Sequence, residues 1–480
     1  MTLLHCWIMC GIIAAKINKS DCMTNEFQRK AYLEMRKWKD GLADHYALLI
    51  EGARRVGKTH LVRRFAEHEY ESHIYIDFSK SDRNIRAAKR AFSESDGVQD
   101  LLSRLELIFL VKLIPGRSCL VFDDVQLFPP AREMIKHFVE HGKYHYIETG
   151  SLVGIHENVK DILIPSEEHG MKLHPLDFEE FLDVIGATLM KERIRDAFIA
   201  RKPLGVGVHE KALDLFRQYM VVGGMPQSIA AYIDGGERPL EACDAAKREI
   251  LRLYDADIGK YAKGYSSKVR SIFRLIPSTL ARHEKKFHLS DISKNARMRR
   301  YENAFLWLAD AMVSNIAYNA TTPDVGFGMN IDSTTFKCYL FDTGLLLTQA
   351  MGGDPMVDAR LLRGVRYDNF GINEGMFFEN AVAQAIANGG RDLLFYSRRN
   401  QQNSADTMEV DFLIRDGIKT CPVDVKSGGF RTHASLDRFI EKYKRYLGHR
   451  YVVCTGEYEE SSGIVYLPIY MVHCLVGKNR

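Results

Sequence analysis

No apolar run in this 480-residue chain is long enough to cross a bilayer, which takes about 20 such residues. The best candidate, LLHCWIMCGIIAA at 3–15, has no Lys or Arg before it and so lacks the basic start of a secretory leader. Metal-finger spacing is missing too. The nine cysteines, at 6, 10, 22, 119, 243, 338, 421, 454 and 474, form no CxxC pair. An odd and scattered set fits reduced thiols and a cytoplasmic location better than a disulfide framework. Nor is there a charge of one sign. Lys and Arg number 66 against 62 Asp and Glu, a net of +4, which argues against a wholly basic nucleic-acid binder but leaves local patches open. What is present is ordinary: 46% apolar and 27% charged residues, a balance that excludes disorder and fibrous repeats. At roughly 150 residues per domain, the length predicts about three domains. Residues 1–22 are set apart as a mis-called start or an extension, with Met23 opening an amphipathic helix, MTNEFQRKAYLEMRKWKD.

The strongest motif is Gly52-Ala53-Arg54-Arg55-Val56-Gly57-Lys58-Thr59, a G-x-x-x-x-G-K-T loop without a mismatch. It follows an apolar run, Tyr46–Ile50, and precedes a helical stretch with Leu61, Val62 and Phe65 on one side. Strand, loop and helix in that order aim backbone N–H groups at phosphate oxygens. Lys58 is expected on the β- and γ-phosphates of ATP, and the Thr59 hydroxyl on Mg²⁺. Downstream, SCLVFDDVQ (118–126) is an apolar run ending in two acids. It delivers Asp123 beside the loop as the second holder of Mg²⁺, and Asp124 to the place of the group that polarises the attacking water.

Two further runs, His73–Phe78 and Lys143–Thr149, with helical stretches near 98–113 and 130–141, complete an α/β unit around a parallel sheet. Thr149 or Ser151 then lies at a strand's carboxyl end, where such sheets place their ligands. Each is a candidate to sense the γ-phosphate, and each equally suits a capping or turn role.

LLIEGARRVGKTHLVRRFA, LVFDDVQ, ETGS and LHPLDFEEFL (173–182) resemble the AAA-type ATPase module of a large prokaryotic family, in which an ATP-binding domain precedes a carboxy-terminal domain of uncharacterised function. The resemblance extends over nearly the whole chain from Met23. It implies a P-loop ATPase domain at 23–175, a helical lid and winged-helix region at 176–330, and a terminal domain at 331–480. AAA-type modules often complete one site with an Arg from a neighbour, so a protein partner or a homo-oligomer is implied, although no spacing selects the Arg. One departure concerns the second motif, where the family usually has Asp-Glu and this chain has Asp123-Asp124. The shorter side chain loses about 1.5 Å of reach, and a misplacement of about 1 Å can cost on the order of 10²-fold in rate.

In the middle, the Gly223-Gly224 break and Pro226 read as a joint between helices. The family has a similar Gly-Gly-x-Pro, and no chemistry is assigned to it. Residues 259–300 hold twelve Lys or Arg against two acids, a net of +10. Three readings stand for that segment: contact with DNA phosphates, a solvated face, or a face against a neighbouring subunit.

Near the carboxyl end, Glu379 lies on a helical run, Asp411 on a strand-like run, and Asp424-x-Lys426 on another. The last two are joined by an Arg-Asp-Gly turn, so they should pair as a hairpin. Alternation puts Asp424 and Lys426 on one face, and Glu409 is expected on the face opposite Asp411. This pattern resembles the PD-(D/E)XK nuclease core. The resemblance implies Mg²⁺ held by Glu379, Asp411 and Asp424, with Asp411, Asp424 and Lys426 acting on a phosphodiester. The competing reading is a set of structural charges in an inert fold. Two functions therefore stand: an ATP-driven switch coupled to a nuclease-like domain, or a nucleotide-dependent regulatory protein whose nuclease fold is inactive.

Overall fold

A computed structural model of the chain describes residues 27, 29–151, 165–292, 294, 297–324, 326–352, 374–399 and 407–477. The expectation for residues 1–22 lies outside them, and the opening helix, α1, runs over Lys30–Gly41. No helix among the described residues is long and apolar enough to cross a membrane.

The amino-terminal unit is built on β1 (Ala47–Glu51), α2 (Lys58–Glu69), β2 (Ser72–Asp77), α3 (Arg83–Glu94), α4 (Val98–Phe109), β3 (Ser118–Asp123), α5 (Pro129–Glu133), α6 (Ile135–His141), β4 (His145–Gly150) and β5 (Glu168–Lys172). The strands form one parallel sheet in the order β2-β3-β4-β1-β5. Both faces of the sheet are covered, which is why its strands read as continuous apolar runs. Ile76, Phe122 and Tyr146 pack on one side, Ile50, Val121 and Ile147 on the other. The expected strands fall within a residue or two of their places. β5 was not foreseen, because Glu168-His-Gly-Met-Lys172 is mostly exposed and has no apolar signature. The run through Gln126 stops at Asp123, because Asp124 turns into the left-handed region (φ 57°).

The helical middle comprises α7 (Phe178–Val184), α8 (Thr188–Ala200), α9 (Val206–Val222), α10 (Pro226–Asp234), α11 (Pro239–Tyr261) and α12 (Ser266–Leu280). Asp177 starts α7 with a reciprocal capping box to Glu180. Then come α13 (Glu302–Asp310), β6 (Ser314–Ala320) and β7 (Ile331–Leu340). Helix, helix and antiparallel strand pair follow in winged-helix order, yet β6 also pairs with β8 (Leu394–Arg398). The strand pair is thus built into the terminal half rather than standing free, and β6–β7 pairing runs across residue 330.

The remaining elements are α14 (Thr343–Met351), α15 (Glu374–Asn388), β9 (Met408–Val410), β10 (Phe412–Asp416), β11 (Lys419–Val425), α16 (Ala434–Tyr443), β12 (Tyr451–Cys454), β13 (Glu459–Ser461), β14 (Ile464–Pro468) and α17 (Val472–Val476). They form two sheets, β7-β6-β8-β9 and β10-β11-β12-β14-β13. The buried α15 lies in a single apolar core that runs on into the helical middle.

Candidate functional site

The loop 52–57 leaves β1 and enters α2 through two residues at positive φ, Arg55 (69°) and Gly57 (103°). Only glycine takes the second without strain. At Gly52 a Cβ would lie 2.6 Å from the Leu173 carbonyl oxygen, so the backbone path depends on its absence. Lys58 is 7% exposed. Its ammonium donates to the carbonyls of Gly52 (2.8 Å) and Ala53 (3.1 Å) and to the Ser151 hydroxyl (2.7 Å). All three acceptors are uncharged. Burial lowers its pKa to about 8, against the pull of Asp124 and Asp123.

Three strand ends converge beside the loop. Asp123, at the end of β3, accepts from the hydroxyls of Thr59 (2.8 Å), Tyr75 and Thr149. Because β4 lies between β1 and β3, Thr149 stands between the two motifs. Its hydroxyl also accepts from the Asp124 N–H at 3.3 Å, so it ties both acids to one strand. Ser151 rests on Lys58, as above. The structure thus gives the two hydroxyls different places: Thr149 with the acids, Ser151 with the lysine. The Asp124 carboxylate accepts from the Gln126 amide at 3.0 Å, and burial raises its pKa. The Thr59 and Asp123 oxygens are hard ligands lying side by side, and they fit Mg²⁺.

The helical middle touches the loop directly. Asp257 pairs with Arg54 at 2.7 Å, and the Tyr254 hydroxyl donates to the Arg54 carbonyl at 2.8 Å. Arg29 reaches from ahead of α1 to the carbonyls of Val56 (3.2 Å) and His174 (2.7 Å) and to Glu180 (3.1 Å). The Pro226 ring lies 3.4 Å from where a Gly57 Cβ would be. The Gly223–Pro226 joint, to which the sequence attached no chemistry, is wedged between the two halves. Gly224 accepts from the Leu176 N–H and donates to Asp342, both at 2.7 Å, and a Gly224 Cβ would lie 2.1 Å from the Leu176 carbonyl oxygen. Asp342 also caps α14 through the Leu345 N–H.

A second cluster lies in the terminal half, and it gathers the four expected residues. β10 and β11 pair as the expected hairpin. Asp411 accepts from the Val425 N–H at 2.9 Å, and Lys426 pairs with Asp424 at 3.0 Å. Glu379 is reached from α15 and is buried. At its centre, however, is Lys337 of β7, with no exposed surface, at 3.0 Å from Glu379, 3.0 Å from Glu409 and 3.3 Å from Asp411. Lys285 also pairs with Glu379, and the Tyr339 hydroxyl donates to it. Glu409 was expected on the opposite face from Asp411. Residues two apart share a face of a strand, so alternation itself places Glu409 beside Asp411, and the structure has both at Lys337. Burial works against the Lys337 charge, but Glu379, Tyr339, Asp411 and Glu409 outweigh it and raise the pKa. Burial and the adjacent Asp411 push Asp424 up to about 8. The same burial acts on Asp411, but Lys337 and Lys285 hold its carboxyl below the usual range. Among the described residues, no group of three or more His, Cys, Asp or Glu side chains is arranged to hold a metal ion. The expected ligands Glu379, Asp411 and Asp424 suit Mg²⁺ in chemistry, but each faces an ammonium group, and this arrangement does not fit the ion. Lys337, Lys285 and Tyr339 were missed. The available signal was a lone Lys in the apolar strand Phe336-Lys-Cys-Tyr-Leu340.

The basic segment is less open than its sequence suggests. Arg270 and Arg274 pair with Asp255, Arg282 with Asp291, and Lys285 with Glu379. Two of those carboxylates lie outside residues 259–300, where a window of charge does not count them.

A parallel sheet with a G-x-x-x-x-G-K-T loop between β1 and α2 and an acid at the end of β3 defines a P-loop NTPase unit. Comparison narrows the class, since residues 44–182 match the AAA domain family. The amino-terminal unit is thus similar to AAA-type P-loop ATPase domains. Residues 213–355 and 374–472 match two domains of unknown function, DUF8612 and DUF4143. No curated protein matches. Solved structures similar to this chain include the Walker-type ATPase PABY2304 of Pyrococcus abyssi, 16% identical, over 68% of this chain and 96% of that one, with a TM-score of 0.42.

Proposed function

We propose that the chain is an ATP-driven switch, in which nucleotide turnover at the loop moves the helical middle against the terminal half. One observation carries this reading: the loop is held from outside its own domain. Asp257 and Tyr254 grip Arg54, and Pro226 abuts Gly57 two residues from the Gly224–Asp342 bond. A phosphate in the loop therefore changes the surroundings of groups bonded to the rest of the molecule.

The steps assigned to this chain's residues are these. Backbone N–H groups of the loop receive the phosphates. Lys58 exchanges its carbonyl partners for phosphate oxygens, a stronger, charge-assisted set. Asp124, freed from Gln126, orients the attacking water, and Thr149 holds Asp123 and Asp124 in register. Thr59 and Asp123 would hold Mg²⁺, which when bound spreads the charge of the phosphates. The terminal cluster enters as a structural partner and not as a nuclease, so the chain reads as a nucleotide-dependent regulatory protein. Phosphate release from ATP tests this. Lys58→Ala should lower it by about 10²-fold or more, the cost of losing one donor to developing charge. Unchanged release would refute the assignment.

Nucleic-acid contact is a second reading, with one observation in its favour: Lys263, Lys294, Arg297, Arg299 and Arg300 remain exposed. Duplex DNA binding should then fall with salt at a slope of about 0.9 per phosphate contacted. Binding that ignores salt, or no binding, removes this reading.

A further inference from the structure

The terminal cluster has the residue types of a metal-dependent nuclease, but every carboxylate in it already has an ammonium partner. Lys337 offers three N–H donors and no acceptor, and three carboxylates surround it at 3.0, 3.0 and 3.3 Å. Glu379 also takes Lys285 and the Tyr339 hydroxyl. The second oxygen of Asp411 takes the Val425 N–H. Asp424 has Lys426 at 3.0 Å. Glu379, Glu409 and Asp411 thus commit their inward oxygens to Lys337, which lies among them without solvent contact, whereas Asp424 Oδ2 makes no hydrogen bond and has only the Lys426 charge beside it. Its stem is packed as well, with the ammonium 5.1 Å from the Phe395 ring centre.

We infer that the Lys337 ammonium is the resident cation of this cluster, and that the cluster works metal-free as a lock between β7, α15, β9 and the basic segment through Lys285. The Lys is covalently attached and cannot leave, so the lock does not depend on metal supply. Its removal leaves three carboxylates facing one another around a space of negative potential, which is a latent divalent site. This inference is independent of the ATPase reading, because it concerns residues that do not touch the loop.

The test counts Mn²⁺ bound per full-length chain, by the loss of the free-ion EPR signal, without nucleotide. The wild type should bind no Mn²⁺ that Asp411→Asn removes. Lys337→Met should gain one Mn²⁺ per chain, and adding Asp411→Asn should abolish that gain. Wild-type binding lost in Asp411→Asn would overturn the inference, as would a folded Lys337→Met that gains none. If Lys337→Met does not fold, wild-type thermal melts in EDTA and in millimolar Mn²⁺ decide the matter. No change in Tm, or a rise that persists in Asp411→Asn and so belongs to the phosphate loop, supports a metal-free cluster. A rise that Asp411→Asn abolishes overturns it.

Discussion

Two buried lysines divide this molecule. Lys58 is surrounded by neutral acceptors, two carbonyls and a hydroxyl, so its charge has no close counter-ion. Burial drags its pKa down to about 8. Lys337 is more deeply buried, yet three carboxylates hold it charged. A desolvated cation without a close anion carries an uncompensated burial cost, which an anionic ligand would relieve. A desolvated cation already shared by three anions is structural. The same residue type, buried in both halves, thus suits a ligand site in one and a lock in the other, and the neighbours distinguish them.

The comparison breaks most sharply if Lys337 is removed. Lys337→Ala should destabilise the protein by about 3–5 kcal/mol, the usual cost of leaving buried charges unpaired. Phosphate release per folded molecule should survive. Denaturant unfolding beside the ATPase assay reads both, and a stable Lys337→Ala protein would dissolve the contrast. Lys58→Ala should show the reverse pattern, with turnover lost and stability kept.

Next is the joint between the halves. Gly224→Ala places a methyl against the Leu176 carbonyl oxygen, and should cost about 1–3 kcal/mol as an overpacked site. If the joint transmits the nucleotide signal, the variant also loses any ATP-induced change in protease protection of the terminal half.

A smaller effect is expected from pH. Burial favours the neutral amine of Lys58, so the charged form prevails below about 8 and fades above it. ATP affinity without Mg²⁺ should weaken as pH rises through that value. A flat binding curve there would mean the amine stays charged without its ligand. The linkage runs the other way for the nucleotide-free fold. Its lysine sheds a proton before the unfolded chain does, near 10.4, so stability rises between about 8 and about 10.4.

The smallest effect is at Asp124. Asp124→Glu gives the second motif the longer reach of an Asp-Glu pair and should not lower turnover. A large loss would mean that the shorter carboxylate, held by Gln126, is already well placed.

Much of the amino-terminal unit was legible because its information is local. A phosphate loop is a run of eight residues whose glycines, lysine and threonine act on the backbone beside them, and a strand buried on both faces is a continuous apolar word. Asp123 was found by the same logic. The terminal cluster was only half legible. Glu379, Asp411, Asp424 and Lys426 follow from a helix, a hairpin and alternation, and they do come together. Glu409 was misplaced although residues two apart share a face of a strand, a rule that puts it beside Asp411, where the structure has it.

The residue types at both clusters, the order of the elements and the path of the phosphate loop were determined by the sequence alone, since each depends on neighbours along the chain. The partner of each charge was decided by the tertiary structure. Lys337 and Glu379 are 42 residues apart, Lys285 and Glu379 94, and Arg54 and Asp257 203. No periodicity reports pairings over such separations. A carboxylate that faces an ammonium and one that faces a metal ion look the same in sequence, because the difference between them is the identity of the nearest cation in space.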